Sequence, residues 1–408
     1  MTSTTVHPFS TYQKQVLFGL GGLLFTVVLD FMLFPALSSV LLERMGLTTG
    51  QFGLIASAYP FAAGLSALVT SGLADRFDRK KYLIVFYAGF LLGILICGLA
   101  GSYEMLFAAR IVAGVFGGVV ASISYSIITD IFHEDQRGRA MGALQIAFAL
   151  SLVAGLPLAL LLSSQFDWTM AYFCILGVGL VFLSGICLRM QPVAEHLDRS
   201  WRQGCTRHLR QTVSNRRHWL AYSNNTTIVF GDVLFMTFFS AYCTHNLGFS
   251  EEVLPLLYGV GGLMALIAGP LTGALADRVG QVPVFWLGSL LVVVNVSAYI
   301  VLNTKALWLL LTVHALLMIG ITTRMVSSTA LATMVPAVET RGAFMSVDAS
   351  IQQLAAGLAA VLAGTVVVQA VDGRLEHFDV LCFLVMGFVL VSCRLMHLIQ
   401  QALGRQSA

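Results

Sequence analysis

Charge is what this sequence has least of: Asp, Glu, Lys and Arg make up 11% of its 408 residues, where soluble domains carry about 25%. A water-soluble chain so poor in charge would leave large apolar surfaces uncovered, which excludes an ordinary soluble enzyme. Cysteine supplies no framework either. The seven residues Cys97, Cys174, Cys187, Cys205, Cys243, Cys382 and Cys393 stand singly, mostly in apolar runs and without a CxxC spacing, so neither disulfides nor a zinc site are indicated. HExxH, GxSxG and P-loop patterns are lacking, which removes the usual signatures of an intramembrane enzyme. A formal net charge of +3 is too small to argue for a nucleic-acid partner. No cofactor and no metal are expected.

What the sequence does have is apolar length, with 57% hydrophobic residues and a mean hydropathy of +0.84. A spanning helix needs about 20 apolar residues. Twelve such runs occur, at 16–42, 52–73, 82–100, 105–128, 141–162, 170–188, 219–243, 253–276, 282–302, 307–334, 344–371 and 378–399. The predicted fold class is an all-α membrane protein of twelve transmembrane helices. The polar stretch 1–15 is short, and the first run is too long for a signal peptide and lacks a cleavage site after it, so that helix is expected to remain.

The basic residues orient the chain. Of the 23 Lys and Arg residues, Arg44, Lys305 and Arg374 lie on one side and Arg110 and Arg324 lie within runs. Every other one lies at a terminus or in a connection on the opposite side, Arg394 at the closing end of the last run counted with the C-terminus. By the positive-inside rule both termini and the long connection 190–218 are expected in the cytoplasm, and the protein in a bacterial inner membrane.

A shift of 202 residues aligns Asp30 with Asp232, Gly46 with Gly248, and 70–76 with 272–278. Two more residues of slip align Arg137, Gly138 and Met141 with Arg341, Gly342 and Met345. Two six-helix bundles are therefore expected, at 1–189 and 219–408, joined by a basic cytoplasmic linker at 190–218 that lies against anionic lipid. An even number of helices per half gives the halves one orientation and a pseudo-two-fold axis along the membrane normal.

The connection after the second run, Ser71-Gly72-Leu73-Ala74-Asp75-Arg76-Phe77-Asp78-Arg79-Lys80-Lys81, resembles the loop signature of the major facilitator superfamily, and its copy ends in Asp277-Arg278. Ser71 and Asp78 stand at the two glycine positions of that signature. The resemblance implies that Gly72, Asp75, Arg76, Arg79, Asp277 and Arg278 belong to gates between the halves, with Arg79 in reach of Asp130. The stretch 106–118, around Arg110, resembles a fourth-span motif whose arginine is linked to proton coupling. Residues 29–35 resemble the first span of the twelve-span drug:proton antiporter branch, which includes sugar-efflux permeases. Residues 155–159 resemble the antiporter signature only loosely.

Charges inside the runs are the residues with most to explain. Asp30 stands 16 residues after Lys14 and 13 before Glu43, which at ~1.5 Å per residue places it near the bilayer midplane, as it does Asp232. An ionised carboxylate there costs at least ~2.5 kcal/mol, so both are expected to face the cavity and to exchange protons. Arg324 cannot shed its charge and needs a partner, Asp232 or Asp348. Arg110 competes between coupling and snorkelling to the nearby interface. His314 is a further proton-carrier candidate, and Gly89/Gly93, Gly114/Gly118 and Gly269/Gly273 have the spacing of close helix contacts. Tyr59, Tyr125, Gln145, Phe235, Phe238, Gln352 and Gln353, with Asp30, Asp232 and Arg324, are the candidate substrate contacts. The resemblance and the charges together imply a monomeric alternating-access transporter. Its partners would be membrane lipids, protons and a small-molecule substrate. That substrate is either a drug-like organic compound expelled against protons, or one metabolite such as a sugar derivative, nucleoside or siderophore. A channel would also tolerate midplane carboxylates, but the duplicated loop argues against it.

Overall fold

A computed structural model describes residues 8–70, 77–194, 212–302, 305–337 and 340–407. Among them, twelve helices are long and apolar enough to cross a membrane. They are α1 (Thr11–Ala36), α2 (Thr49–Thr70), α3 (Arg79–Gly98), α4 (Tyr103–Ile131), α5 (Asp135–Gln165), α6 (Trp168–Arg189), α7 (His218–Asn246), α8 (Glu251–Val279), α9 (Gln281–Val301), α10 (Leu307–Ala332), α11 (Arg341–Val366) and α12 (Phe378–Leu403). Helices are what hydrocarbon permits, because each satisfies its own backbone polar groups. Side-chain caps mark several starts: Ser10 and Gln13 form a reciprocal capping box on α1, Asp78 caps α3 and Ser102 caps α4. Large apolar side chains such as Phe18, Val181, Leu188, Val301 and Leu390 are exposed on the outside, as a lipid-facing surface requires.

The helices pack as two repeats. In the first half α1 packs on α5 and α6, α2 on α4, and α3 on α4 and α6. Each pairing recurs six helices later: α7 on α11 and α12, α8 on α10, and α9 on α10 and α12. Between halves, α2 packs on α11 and α5 on α8, a pair of contacts that the same symmetry exchanges. Gly46 and Gly248, at equal positions in the repeat, turn the chain with φ of 62° and 71°. A side chain would be strained in that conformation.

The start of α1 lies beside the connection from α4 to α5, where Gln13 Nε2 donates to Gln136 Oε1 at 3.0 Å; this side of the molecule is the termini face. The halves meet most closely toward the opposite face. There a Cβ on Gly53 would sit 2.7 Å from the Ala360 carbonyl oxygen and 2.8 Å from the Gly364 Cα, so the α2 and α11 backbones touch. Thr49 donates its hydroxyl to the Val367 carbonyl at 2.6 Å. Ser38, in a short helix (Ser38–Arg44) that follows the break at Pro35 in α1, accepts from the Ala241 amide at 3.1 Å. Phe52 packs on Phe238 with ring centroids 5.4 Å apart.

Toward the termini face α8 stays on α10, where the Thr272 and Thr323 hydroxyls lie 3.1 Å apart, but its glycine face is open: nothing lies within 4 Å of a Cβ built on Gly269 or Gly273. The close contact expected of that pair is therefore not made, whereas Gly93 abuts the Ala113 backbone and Gly114 and Gly118 abut Tyr59 and Ala63. Two π-helical turns interrupt the bundle, Ser151–Gly155 before Pro157 in α5 and Tyr242–Asn246 at the end of α7. A small antiparallel hairpin, β1 (Val368–Gln369) and β2 (Leu375–Glu376), closes the opposite face beyond α11. Asn246 holds it by donating to the Leu375 carbonyl at 2.8 Å and accepting the Leu375 amide at 2.9 Å.

Candidate functional site

Each half buries one acid against one arginine. In the first half, Arg110 Nη1 reaches both carboxylate oxygens of Asp30, at 2.7 and 2.9 Å, and the two side chains are 1% and 0% exposed. The guanidinium lies 4.8 Å from the Phe34 ring centroid and 4.7 Å from that of Tyr59, aromatic faces that stabilise a cation. Arg110 thus turns inward along its helix instead of snorkelling to the interface, because a carboxylate and two rings replace the water it would have sought. Asp30 is a correction too: it is sealed between helices and does not face a cavity. Tyr59 is buried with it.

The second half repeats the chemistry more loosely. Arg324 Nη1 stands 3.6 Å from Asp232 Oδ1, with side-chain exposures of 1% and 18%. That separation is an ion pair without a formed hydrogen bond, and Asp232 Oδ1 has no hydrogen-bond partner. Arg324 donates instead to Ser392 Oγ at 3.0 Å and lies over the Phe285 ring. Of the two partners expected for Arg324, Asp232 is the one it meets. Asp348 accepts from Asn225 Nδ2 and Gln352 Nε2, each at 2.8 Å on Oδ2. Asp30 and Asp232 obey the repeat, but their arginines do not. Arg110 stands seven residues into α4 and Arg324 seventeen into α10.

The other candidates scatter. Tyr125 donates to Gln145 at 3.1 Å on a partly open face of α4 and α5. Phe235 is a correction: it is buried in a ring cluster with Phe239, Tyr299 and Phe378, so it packs the second half and does not line a pocket. Phe238 is likewise fully buried, on the seam with Phe52. Gln353 lies where α11 meets Gly64 of α2. His314 is fully buried, stacks on Phe239 at 4.8 Å and lacks a partner on either ring nitrogen.

At the termini face Arg79 Nε donates to Asp130 Oδ2, the pairing that the resemblance implied. Asp78, at a glycine position of the loop signature, accepts from the amides of Lys80 at 2.9 Å and Val193 at 3.0 Å. Its carboxylate therefore both starts α3 and holds the chain leaving α6. Asp277 and Arg278 are exposed. Gly72, Asp75, Arg76 and most of the linker lie outside the described residues. Among the described residues no three His, Cys, Asp or Glu groups gather as a metal site. A cavity of about 450 Å³ at the opposite face, lined by Arg44, Gln51, Ser102, Tyr103 and Asp167, holds none of the buried charges.

Twin helical bundles with charges buried at their centres define a membrane transporter built by duplication. The chain belongs to the Major Facilitator Superfamily, whose profile matches residues 19–360 and again 221–400. Multidrug resistance protein 3 of Bacillus subtilis (strain 168) is 26% identical over 197 residues, covering 48% of this chain and 38% of that one. A probable sugar efflux transporter of Pasteurella multocida (strain Pm70) is 26% identical over 174 residues, covering 42% and 43%. In these alignments the chain spans less than half the length of either relative.

The fold also matches solved structures. One is a bacterial homologue of the human lysosomal transporter Spinster, in an inward-facing and occupied conformation. It superposes with a TM-score of 0.75 at 15% identity, over 97% of this chain and 98% of that one. A mutant of the nucleoside transporter NupG gives 0.75 at 12% identity, over 94% and 99%.

Proposed function

We propose that the protein expels a small organic compound in exchange for protons, by alternating access about the plane of Asp30 and Asp232. The observation that carries this reading is the acid paired with arginine in each repeat, at equal positions of α1 and α7. A carboxylate in hydrocarbon is tolerated beside a fixed cation or when protonated. Each acid can therefore trade its arginine for a proton, and the freed guanidinium changes what the neighbouring helices will hold.

Asp232, partly exposed and loosely paired, takes the proton first. Asp30 and Arg110 part only when the first half rearranges. The termini face is cytoplasmic, in keeping with its basic residues, and access from it runs between the separated ends of α5 and α8. The loop residues Gly72, Asp75, Arg76, Arg79 and Asp130, with Asp277 and Arg278, latch that face when it closes. The chain works as a monomer in a bacterial inner membrane. A specific exported metabolite such as a sugar derivative is the second reading, favoured by the sugar-efflux relative.

The test is flux in proteoliposomes under an imposed pH gradient, with a panel of dyes and sugars as cargo. Gradient-driven expulsion should be lost in Asp30→Asn and strongly reduced in Asp232→Asn. If the double variant still couples flux to the gradient, proton exchange at these acids is wrong.

A further inference from the structure

His314 is a buried titratable group that exchange at Asp30 and Asp232 does not use. Its ring is 0% exposed, and neither Nδ1 nor Nε2 has a hydrogen-bond partner. A neutral imidazole carries one donor and one acceptor, and buried polar groups left unpaired are rare in folded proteins. The repeat gives this position a counterpart. Helices α4 and α10 begin at Tyr103 and Leu307, and the same shift, from 103 to 307, carries Arg110 to His314. Arg110 lies over the Tyr59 ring. The shift of 202 residues carries Tyr59 to Gly261, and His314 Nε2 lies 2.6 Å from a Cβ built on Gly261. Both side chains therefore leave their helix on the same side. Where the first half keeps a fixed cation, the second keeps a group whose charge can be switched.

The residues that cover His314 are tied to the seam between the halves. The ring stacks on Phe239 of α7 at 4.8 Å and meets Tyr258 of α8 edge-on at 6.0 Å. Ser240 shares a hydrogen bond with the Tyr258 hydroxyl at 2.9 Å, while Phe238 and Ala241 touch Phe52 and Ser38 of the first half. Parting the opposite face therefore moves the cover. The titratable groups facing the ring are Tyr258 from α8 and, across Phe239, Tyr299 from α9, whose hydroxyl also lacks a partner. Cys243 of α7 lies near both tyrosines, and on α10 itself the next titratable group is Arg324. No carboxylate or basic side chain among the described residues acts on the ring. Phe239 stands seven residues beyond Asp232 along α7, about 10 Å nearer the opposite face.

We propose that His314 is a further proton-carrying residue of the exchange, neutral and covered in the present state and loaded from the opposite face once the seam parts. The proposal rests on proton-driven export as read above, and adds a group that takes the proton on its way to Asp232. In the closed state water is excluded, and an imidazolium would have neither an acceptor nor a counter-ion. In the parted state water reaches both nitrogens, and a wetted imidazole titrates near pH ~6.5. Protons on that side then favour the state that is open to them, since only that state binds one here. A population ratio linked to one such group changes about tenfold between pH 7.5 and 5.5.

The test reads the balance of states on the full chain in nanodiscs, without transport. Spin labels on Leu99→Cys and Val371→Cys, exposed at the opposite face and one in each half, report its opening by double electron–electron resonance, with Cys174, Cys187 and Cys205 replaced by serine. The ratio of parted to closed distances should rise about tenfold from pH 7.5 to 5.5, and most of that rise should remain in Asp232→Asn. It should be flat in His314→Phe, which can stack on Phe239 with no nitrogen to wet, and in His314→Gln, which hydrogen-bonds but takes no proton. A rise that survives in either His314 variant, a rise lost in Asp232→Asn, or a flat ratio in the parent would each overturn the proposal. If His314→Phe does not fold, His314→Gln decides alone. Gradient-driven flux that persists when both Asp30 and Asp232 are asparagine would remove exchange at the acids and leave this ratio untouched, so the two readings fail separately.

Discussion

Replacing Arg110 with methionine removes the cation from a site where Asp30 has no substitute. Both side chains are essentially without solvent contact, and the described residues supply no second basic group within ion-pair distance. Breaking a buried pair by deleting one partner costs about 3–5 kcal/mol. Losing the guanidinium between Phe34 and Tyr59 adds about 0.5–2 kcal/mol. Asp30→Asn, which strands the guanidinium instead, should cost a similar amount. The double variant Asp30→Asn with Arg110→Met has no charge left to strand, and methionine fills most of the volume, so it should lie within about 1–2 kcal/mol of the parent. A double-mutant cycle on reversible unfolding in mixed micelles should then give a coupling energy of at least ~2 kcal/mol. Additive single effects, or an Arg110→Met variant as stable as the parent, would refute the reasoning that this pair is a closed neutral unit. Arg110→Lys is a useful intermediate, since an ammonium cannot lie flat between two rings while reaching both oxygens.

Two further outcomes follow from the seam and the hairpin. Gly53→Leu places a side chain where the Ala360 carbonyl stands 2.7 Å from the Cβ position, so α2 and α11 must part at the opposite face. Cysteines introduced beside Phe238 should become reactive from that side, and their continued protection would count against the contact as drawn. Asn246→Ala breaks two hydrogen bonds to Leu375, worth about 1–3 kcal/mol together. Hydrogen exchange at 368–376 should speed up while that of α9 and α10 stays unchanged.

Length and polarity of the runs made all twelve helices legible in the sequence, because hydrocarbon leaves the backbone almost no alternative. The duplication was legible too, through Asp30 with Asp232 and Gly46 with Gly248. Partner choice was harder. The cost of an unpaired arginine left Arg324 a choice between Asp232 and Asp348, of which it meets Asp232, and Asp30 with Arg110 was not anticipated. Arg110 stands near a helix end, where snorkelling looks as good as burial, and the second half carries no arginine at that position. The usable signal was simpler: one acid and one arginine inside the runs of the same six-helix half. Phe235 and Phe238 show the other limit, since an aromatic residue on an inner helix carries no record of which way it is rotated. Asn225, which donates to Asp348, was not read as its partner because a neutral polar residue inside an apolar run reads as a helix-packing group until a carboxylate is found beside it.

The seam at the opposite face is made of Phe34, Phe52, Phe238 and neighbouring aliphatic side chains that are shut away from solvent, with hardly any charge among them. Parting it would wet that surface, and wetting apolar surface raises the heat capacity. The balance between the two access states should accordingly bend with temperature instead of following a straight van 't Hoff line. Cooling weakens apolar cohesion, so a chilled sample should spend more of its time open on that side.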